Sequence, residues 1–557
     1  MLQKKINNMT LEMMGSKYPS RLSFSRSMLR NMVKEKWKIS KAKFDLDKNG
    51  YGTAVYEIKI KNQIYSLICF SQYLAKKDRS DRVIADKWDT AYTLHIGKLS
   101  KKNLERLFKI TPLQEAGRNS AKELVLSRAN KSLRLFDRVA LCLSKGIQPK
   151  LEEINEVGYL LRTTAVYGNG KFGMSDFFST KEQTVFNQPF RAEMLAVYII
   201  REFSVDLVEH VAYHKNPSKA VKLKKNIKQH LGIGNSTGLG MAPFIIKHPK
   251  LINQWILQYE KTLNKIKLID KISKKQLTQF IKLLNKAKLY LDEVLTFDEY
   301  QKNKNYKSSI DLKEMIKFCE KNNSGKKISI NWKKIIEHCE KKYVPDTQEI
   351  IKVQMIEMFP KISDPLAENM SHNENMMINS SQKISSLITV IKNKYKWAIN
   401  INFKNKKNEY LFWYISEKKL EPRLGERFNE NGAELEQPLG IGKMVNQLYY
   451  FLLNHKDCKQ LNVGQFLLKF PEFRGIIRRV QSLSDFEYAE VKDNILAKNT
   501  LPINMLRFKL SFFGASRYDP KSDRWLRVSF FHGAPFYKNL SKDNVEKWGF
   551  ATMNSYN

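Results

Sequence analysis

"HLGIGNSTGLGMAPF", His230 to Phe244, places four glycines within nine residues, and its reading decides the fold. A phosphate-binding loop would make this a nucleotide-type α/β sheet, whereas a break between helices would make it a mostly helical protein. A dinucleotide fingerprint follows a strand and opens a helix, and a Walker loop ends in GK[ST] after a strand. "GIGNSTGLG" instead follows "KAVKLKKNIKQHL", residues 219–231, which has helical spacing. Gly232 is therefore assigned as the left-handed residue closing a helix, and Pro243 to the first turn of the next. A cap needs one glycine, and each extra one costs chain entropy. The surplus, with the short donors Asn235, Ser236 and Thr237 between, predicts a loop whose backbone amides hold an anion.

Upstream, "GNGKFG" (168–173) forms a second glycine-rich stretch. It follows "LEEINEVGYLLRTTAVY", which also reads as helical. Tyr167 and Asn169 offer hydrogen bonds there, and Lys171 offers a point charge.

Between the two stretches, "FRAEMLAVYIIREFSVDLVEHVAYH", residues 190–214, is apolar over much of a helical circumference, which predicts a long buried helix. Glu202, Asp206, His210 and His214 recur every fourth residue along one stripe. Asp-x3-His-x3-His can present three ligands to iron, manganese or zinc. The same stripe also reads as an acid–base pair, with His210 as base oriented by Asp206, or as a polar face with an Asp206–His210 pair near the helix C-terminus. His-Glu-x-x-His is absent, and the helix has no Glu-x-x-His.

Farther along, "SFFGASRYDPKSDRWLRVSFFHGAPF", residues 511–536, concentrates glycine, aromatic, arginine and histidine residues. "DPKSD" is a turn and "RWLRVSFF" alternates as a strand. This either brings Arg524, Arg527 and His532 to a pocket or forms a tight hairpin with a charged edge.

The rest of the chain supports a helical frame with sheets at its two ends. "YGTAVYEIKIKNQIYSLICFS" alternates on both sides of Lys61-Asn62, a hairpin signature. "TAYTLHIG" adds a strand, and "SAKELVLSRANKSLRLFDRVALCLSKG" reads as helix. Residues 245 to about 360 are lysine-rich amphipathic helices, and "KWAININF" with "EYLFWYIS" reads as a second hairpin. The expected fold is α+β and predominantly helical, with short antiparallel sheets in the N- and C-terminal parts and a helical middle. The expected domains are a mixed 1–150, a helical 151–366 carrying both glycine-rich stretches, a linker at 367–382, and an α+β 383–557.

Composition narrows the function. The chain has 557 residues and a formal net charge of +41. Of its 97 basic residues 22 are arginine, and none lies between Arg201 and Arg423. A protein reading phosphates or bases tends to use the planar fork of arginine, so dispersed lysine reads first as surface solvation. The five cysteines are scattered, in no CxxC pair, which speaks against a disulfide framework or a cysteine-based zinc site. No apolar run reaches membrane-spanning length and no signal-peptide pattern opens the chain, so a cytoplasmic location and no membrane partner are expected. The leading expectation is a soluble enzyme of open reaction class, with no cofactor assigned. It binds a small anionic molecule, bearing carboxylate or phosphate, between the glycine-rich stretches, the histidine-bearing helix and arginines. The alternatives are an RNA- or DNA-binding protein and a metal-dependent oxidase or hydrolase working through Asp206, His210 and His214.

Overall fold

The computed structural model describes residues 19–78, 88–112, 122–168, 190–238, 249–296, 298–324, 328–370, 378–400, 402–403, 413–416, 422–424, 436–439, 441–483, 510–520 and 525–549. The fold is α+β and mostly helical. The chain forms two compact units: one takes Met13–Thr237, Gln258–Asn369 and Leu510–Asn557, the other Met1–Glu12, Gly238–Leu257 and Met370–Lys509.

The larger unit is built on a nine-stranded sheet. Strands β1 (Lys38–Leu46), β2 (Gly52–Ile60), β3 (Gln63–Ser71), β4 (Thr90–Ile96), β5 (Glu123–Lys131) and β6 (Tyr159–Gly168) form an antiparallel meander. β2 and β3 pair in register from Gly52–Ser71 to Ile60–Gln63, and Lys61 takes the positive φ that the two-residue turn requires. β7 (Gly232–Gly238) then lies parallel to β6, Tyr159 opposite Gly232 and Arg162 opposite Gly234. The hairpin β11 (Ala515–Pro520) and β12 (Trp525–Phe530) completes the sheet, with β12 beside β7. Lysine-rich β1 and Pro520-bearing β11 are its edges, positions where charge and proline discourage further pairing.

A parallel neighbour needs a crossover, and here α5 (Arg191–Lys215) and α6 (Lys225–Gln229) provide it. α5 is buried around most of its circumference, as its sequence predicts. It lies on the sheet face that carries Tyr56 and Tyr92: the Tyr56 hydroxyl donates to Asp206 Oδ2 at 2.6 Å, and the Tyr92 ring meets Phe203 edge-on at 5.9 Å. The alternate residues of the same strands face the other way, where Val55, Ile68 and Phe70 enclose Leu107 of α2 (Lys101–Ile110). Before the sheet comes α1 (Phe24–Lys34), capped by Ser23; α3 (Phe136–Ser144) and α4 (Leu151–Val157) follow β5.

Three stretches read from sequence as helix or loop are strands. In β5, "ELVLSRANK", nearly every residue is buried, so the apolar–polar alternation of a half-exposed strand is missing. "LEEINEVGYLLRTTAVY" divides at Gly158, whose φ of 79° closes α4, and continues as β6. "GIGNSTG" is β7, and Gly232 and Gly234 do not have positive φ. A Cβ on Gly232 would overlap the Phe530 carbonyl, and one on Gly234 would overlap the Tyr159 ring. These glycines let neighbouring strands close in rather than ending a helix.

The helical middle follows its sequence. α7 (Pro249–Lys267), α8 (Lys274–Glu293), α9 (Glu299–Asn323), α10 (Trp332–Lys342), α11 (Pro345–Met358) and α12 (Pro360–Glu368) run in succession. Ser273 and Gln276 form a capping box on α8, Asp298 and Asn331 cap α9 and α10, and a proline opens both α11 and α12. Trp332 packs edge-on against Phe280 and Phe359, each at 5.3 Å.

In the smaller unit, α13 (Ile384–Lys394), α14 (Lys396–Ile399), α15 (Ile441–Asn454), α16 (Val463–Lys469) and α17 (Arg474–Leu483) close on Leu387, Ile391, Leu448, Leu452, Phe466 and Ile477. The hairpin expected of "KWAININF" and "EYLFWYIS" is not formed. Lys396–Ile399 is a helical turn, and β8 (Trp413–Ser416) pairs instead with β9 (Pro422–Leu424) and β10 (Glu436–Leu439). After β12, α18 (Lys542–Lys547) belongs to the larger unit.

Candidate functional site

The C-terminal half of α5 carries carboxylates at positions 202, 206 and 209, a spacing that sets all three along one side of the helix. They form one wall of a cavity of about 420 Å³. Lys41 of β1, Lys222, Lys225 and Lys228 from the turn after α5 and from α6, and Phe536, Tyr537, Lys538 and Asn539 from the segment after β12 complete it. Five lysines thus surround three carboxylates.

Each carboxylate is held differently. Asp206 accepts from Tyr56 and pairs with Lys41 at 3.1 Å. Glu209 Oε1 accepts from the Leu223 amide at 3.1 Å, and burial raises its pKa. Glu202 Oε1 accepts from the Tyr537 amide at 2.8 Å. Burial raises Glu202 most, Asp206 adds to the effect, and the Tyr537 amide, Arg201 and Lys228 oppose it, leaving the carboxyl at about 7. Tyr537, pushed up to about 12 by burial and by Glu202, remains a neutral hydroxyl. Among the described residues only Lys41 of the five lysines forms a salt bridge.

Arg201 fixes this wall. Its guanidinium donates to the carbonyls of Leu231, at 2.5 Å, and Gln229, at 3.2 Å, and lies 3.9 Å from the Phe536 ring centroid. One buried arginine therefore ties α5 to the entry of β7 and to the C-terminal segment. The Tyr198 hydroxyl adds a bond to the Pro535 carbonyl at 2.8 Å.

Of the residues singled out in the sequence, Glu202 and Asp206 line this cavity. His210 does not pair with Asp206: the His210 ring lies 2.7 Å from the Asp47 carbonyl through Nε2 and stacks, tilted, on His214 at 4.4 Å. His214 is exposed. Among the described residues no group of three His, Cys, Asp or Glu is placed to hold a metal ion.

His532 is 2% exposed and lies farther in. Its amide donates to Ser516 Oγ at 2.6 Å and its carbonyl accepts from Trp548 Nε1 at 3.0 Å. Its ring nitrogens have no partner among the described residues. The ring lines a cavity of about 30 Å³ with Arg517, Asn155, Tyr290 and Glu293, and meets His230 edge-on at 5.6 Å. Burial, then Arg517 and Arg201, keep both imidazoles neutral, His230 at about 4 and His532 well below its ordinary value. Arg527 is half-buried on β12, and its Nη1 has no partner among the described residues.

The two glycine-rich stretches are related by the sheet. Since β6 and β7 are parallel neighbours, Gly168 and Gly238 end them on the same side. The crossover helix runs back between them, so its first turn lies at that end and His210 and His214 at the opposite one. Glu193, in the first turn, is 5% exposed and is raised by burial to about 7. Asn235 is buried on β7; Tyr167, Ser236 and Thr237 are strand positions of β6 and β7. Asn169, Lys171 and Arg524 lie outside the described residues.

The carboxylate stripe was readable in the sequence, although its third member is Glu209 rather than a histidine. The lysines at 222–228 follow the helix directly and could have been found with it. Lys41 and residues 536–539 could not: they lie 150 and more than 300 residues from α5 and arrive only through the sheet. Protein-family models, curated proteins and solved structures yield no match to the chain.

Proposed function

We propose that this chain binds a small anionic molecule, bearing a carboxylate or phosphate, in the α5 cavity, and that Glu202 exchanges a proton with it. The observation that carries this reading is the lysine rim. Lys222, Lys225, Lys228 and Lys538 converge on a metabolite-sized concavity and form no salt bridge among the described residues. Their charge favours an anion that presents its far end to the carboxylate wall. Glu202, near 7, is poised to give or take a proton at neutral pH, the property a general acid–base residue needs. Tyr537 supplies a neutral donor beside it.

The test is a thermal-shift screen with small carboxylates and phosphates. A ligand present at about 100 times its Kd stabilises the native state by about 2.7 kcal/mol, a Tm rise of about 3 °C for a unit of this size. At least one compound is expected to produce such a rise, and the combined Lys222→Gln, Lys225→Gln, Lys228→Gln variant to abolish it. No stabilisation by any compound, or stabilisation that survives the triple substitution, would contradict the reading.

A further inference from the structure

The α5 cavity carries charges of both signs that do not neutralise one another. Glu202 and Glu209 line it together with Lys222, Lys225, Lys228 and Lys538, yet among the described residues none of these six forms a salt bridge. Other contacts hold them apart. Glu202 Oε1 accepts from the Tyr537 amide at 2.8 Å, and Glu209 Oε1 from the Leu223 amide at 3.1 Å. Lys228 is drawn over the Phe536 ring, 5.5 Å from its centroid, and Lys538 over the Tyr537 ring, at 5.8 Å.

Each of the two carboxyls thus keeps its second oxygen for another partner. Glu202 Oε2 and Glu209 Oε2 accept no hydrogen bond among the described residues, and neither is sealed from solvent, so both can be reached from the cavity. Glu202 is only 9% exposed. Burial raises both carboxyls, Glu202 to about 7, because neither has a cation in contact to favour its ionised form. A ligand hydroxyl would satisfy the free oxygen without supplying the missing charge. An ammonium supplies both.

We propose that the ligand of the α5 cavity is a zwitterion, whose primary ammonium bonds Glu202 Oε2 while its carboxylate or phosphate lies among Lys222, Lys225, Lys228 and Lys538. This rests on the reading of the cavity as an anion site and adds the chemical class of the molecule. A volume of about 420 Å³ suits an amine-bearing acid of roughly 6–15 non-hydrogen atoms. The arriving ammonium favours ionised Glu202, so the carboxyl passes its proton to solvent as the ligand binds. An acid without an amine lacks this effect, since its negative charge favours the protonated carboxyl.

The experiment is isothermal titration calorimetry of the full chain at pH 7.0 with small amino carboxylates and amino phosphates. Each is compared with its deaminated acid and with the amine lacking the acidic group. At least one amine-bearing acid is expected to bind at least tenfold more tightly than either. Repeating the titration in buffers of different ionisation enthalpy should show release of about half a proton per molecule bound. Glu202→Gln should abolish that release and cut the tenfold preference to less than threefold; the wild-type comparisons decide the matter should this variant fail to fold. Deaminated acids binding as tightly, amine-bearing acids binding without proton release, or a preference that survives Glu202→Gln would overturn the zwitterion and leave the anion reading standing. Bare amines binding as tightly, or no acid binding at all, would overturn both.

Discussion

Single side chains carry the pH response of this protein. Glu349 accepts from the Tyr259 hydroxyl at 2.7 Å and is raised by burial to about 8. Its folded value lies above its ordinary 4.5, so the folded state keeps a proton that the unfolded chain releases. The resulting stabilisation is complete below about 4.5 and is lost as pH rises through 8. Glu349→Gln retains the acceptor for Tyr259 but has no proton to lose. Its Tm is expected to hold between about pH 5 and 8 while that of the wild type falls, the two curves running parallel above about pH 8.5; parallel curves between pH 5 and 8 would disprove the assignment. His230 and His532 act in the opposite sense. Their folded values are depressed, so their contribution is present above about 6.5 and lost as pH falls through 6.5 toward 4. His230→Gln and His532→Gln should each flatten the acid limb of a Tm-against-pH curve, and an unchanged limb in both would show that the pair does not titrate as described.

Among the elements, β7 joins the sequence to the architecture. At Gly232 an added methyl group meets the Phe530 carbonyl and the His532 amide, backbone atoms held by the sheet; at Gly234 it meets the Tyr159 ring. Backbone cannot turn aside as a side chain can. Gly232→Ala is therefore predicted to destabilise more than Gly234→Ala, the latter by about 1–3 kcal/mol, in urea unfolding of the full chain. Equal costs, or a larger cost at Gly234, would mean that the strands are not packed as described. The same element shows why only part of the fold was legible. α5 announced itself through apolar residues around much of a helical circumference over 25 residues, and β2 and β3 through their alternation. β5 and β6 lie in the middle of the sheet, where burial on both faces erases alternation. β7 consists largely of small residues chosen for its neighbours, and those neighbours lie at Tyr159 and some 300 residues away at Phe530. Asp206 was legible as a site residue because its stripe is local. Its lysine and tyrosine partners were not, because the sheet assembles them.

At the scale of the whole molecule, the charge of +41 is dispersed mostly as lysine. Generic nucleic acid is expected to bind weakly at physiological salt, with affinity falling steeply as salt rises. A fluorescence-anisotropy titration with duplex DNA at 150 mM salt should give a Kd weaker than about 1 μM. Tighter, sequence-independent binding there would move the functional reading from the α5 cavity to the basic surface. The central claim is that the cavity between Glu202 and its ring of lysines holds an anion, and the most direct measurement is a crystal structure of the full chain with the best compound from the thermal-shift screen. The account predicts density for its acidic group within bonding distance of Lys225, Lys228 or Lys538, with the opposite end toward Glu202. Density elsewhere, with this cavity left to solvent, would contradict it.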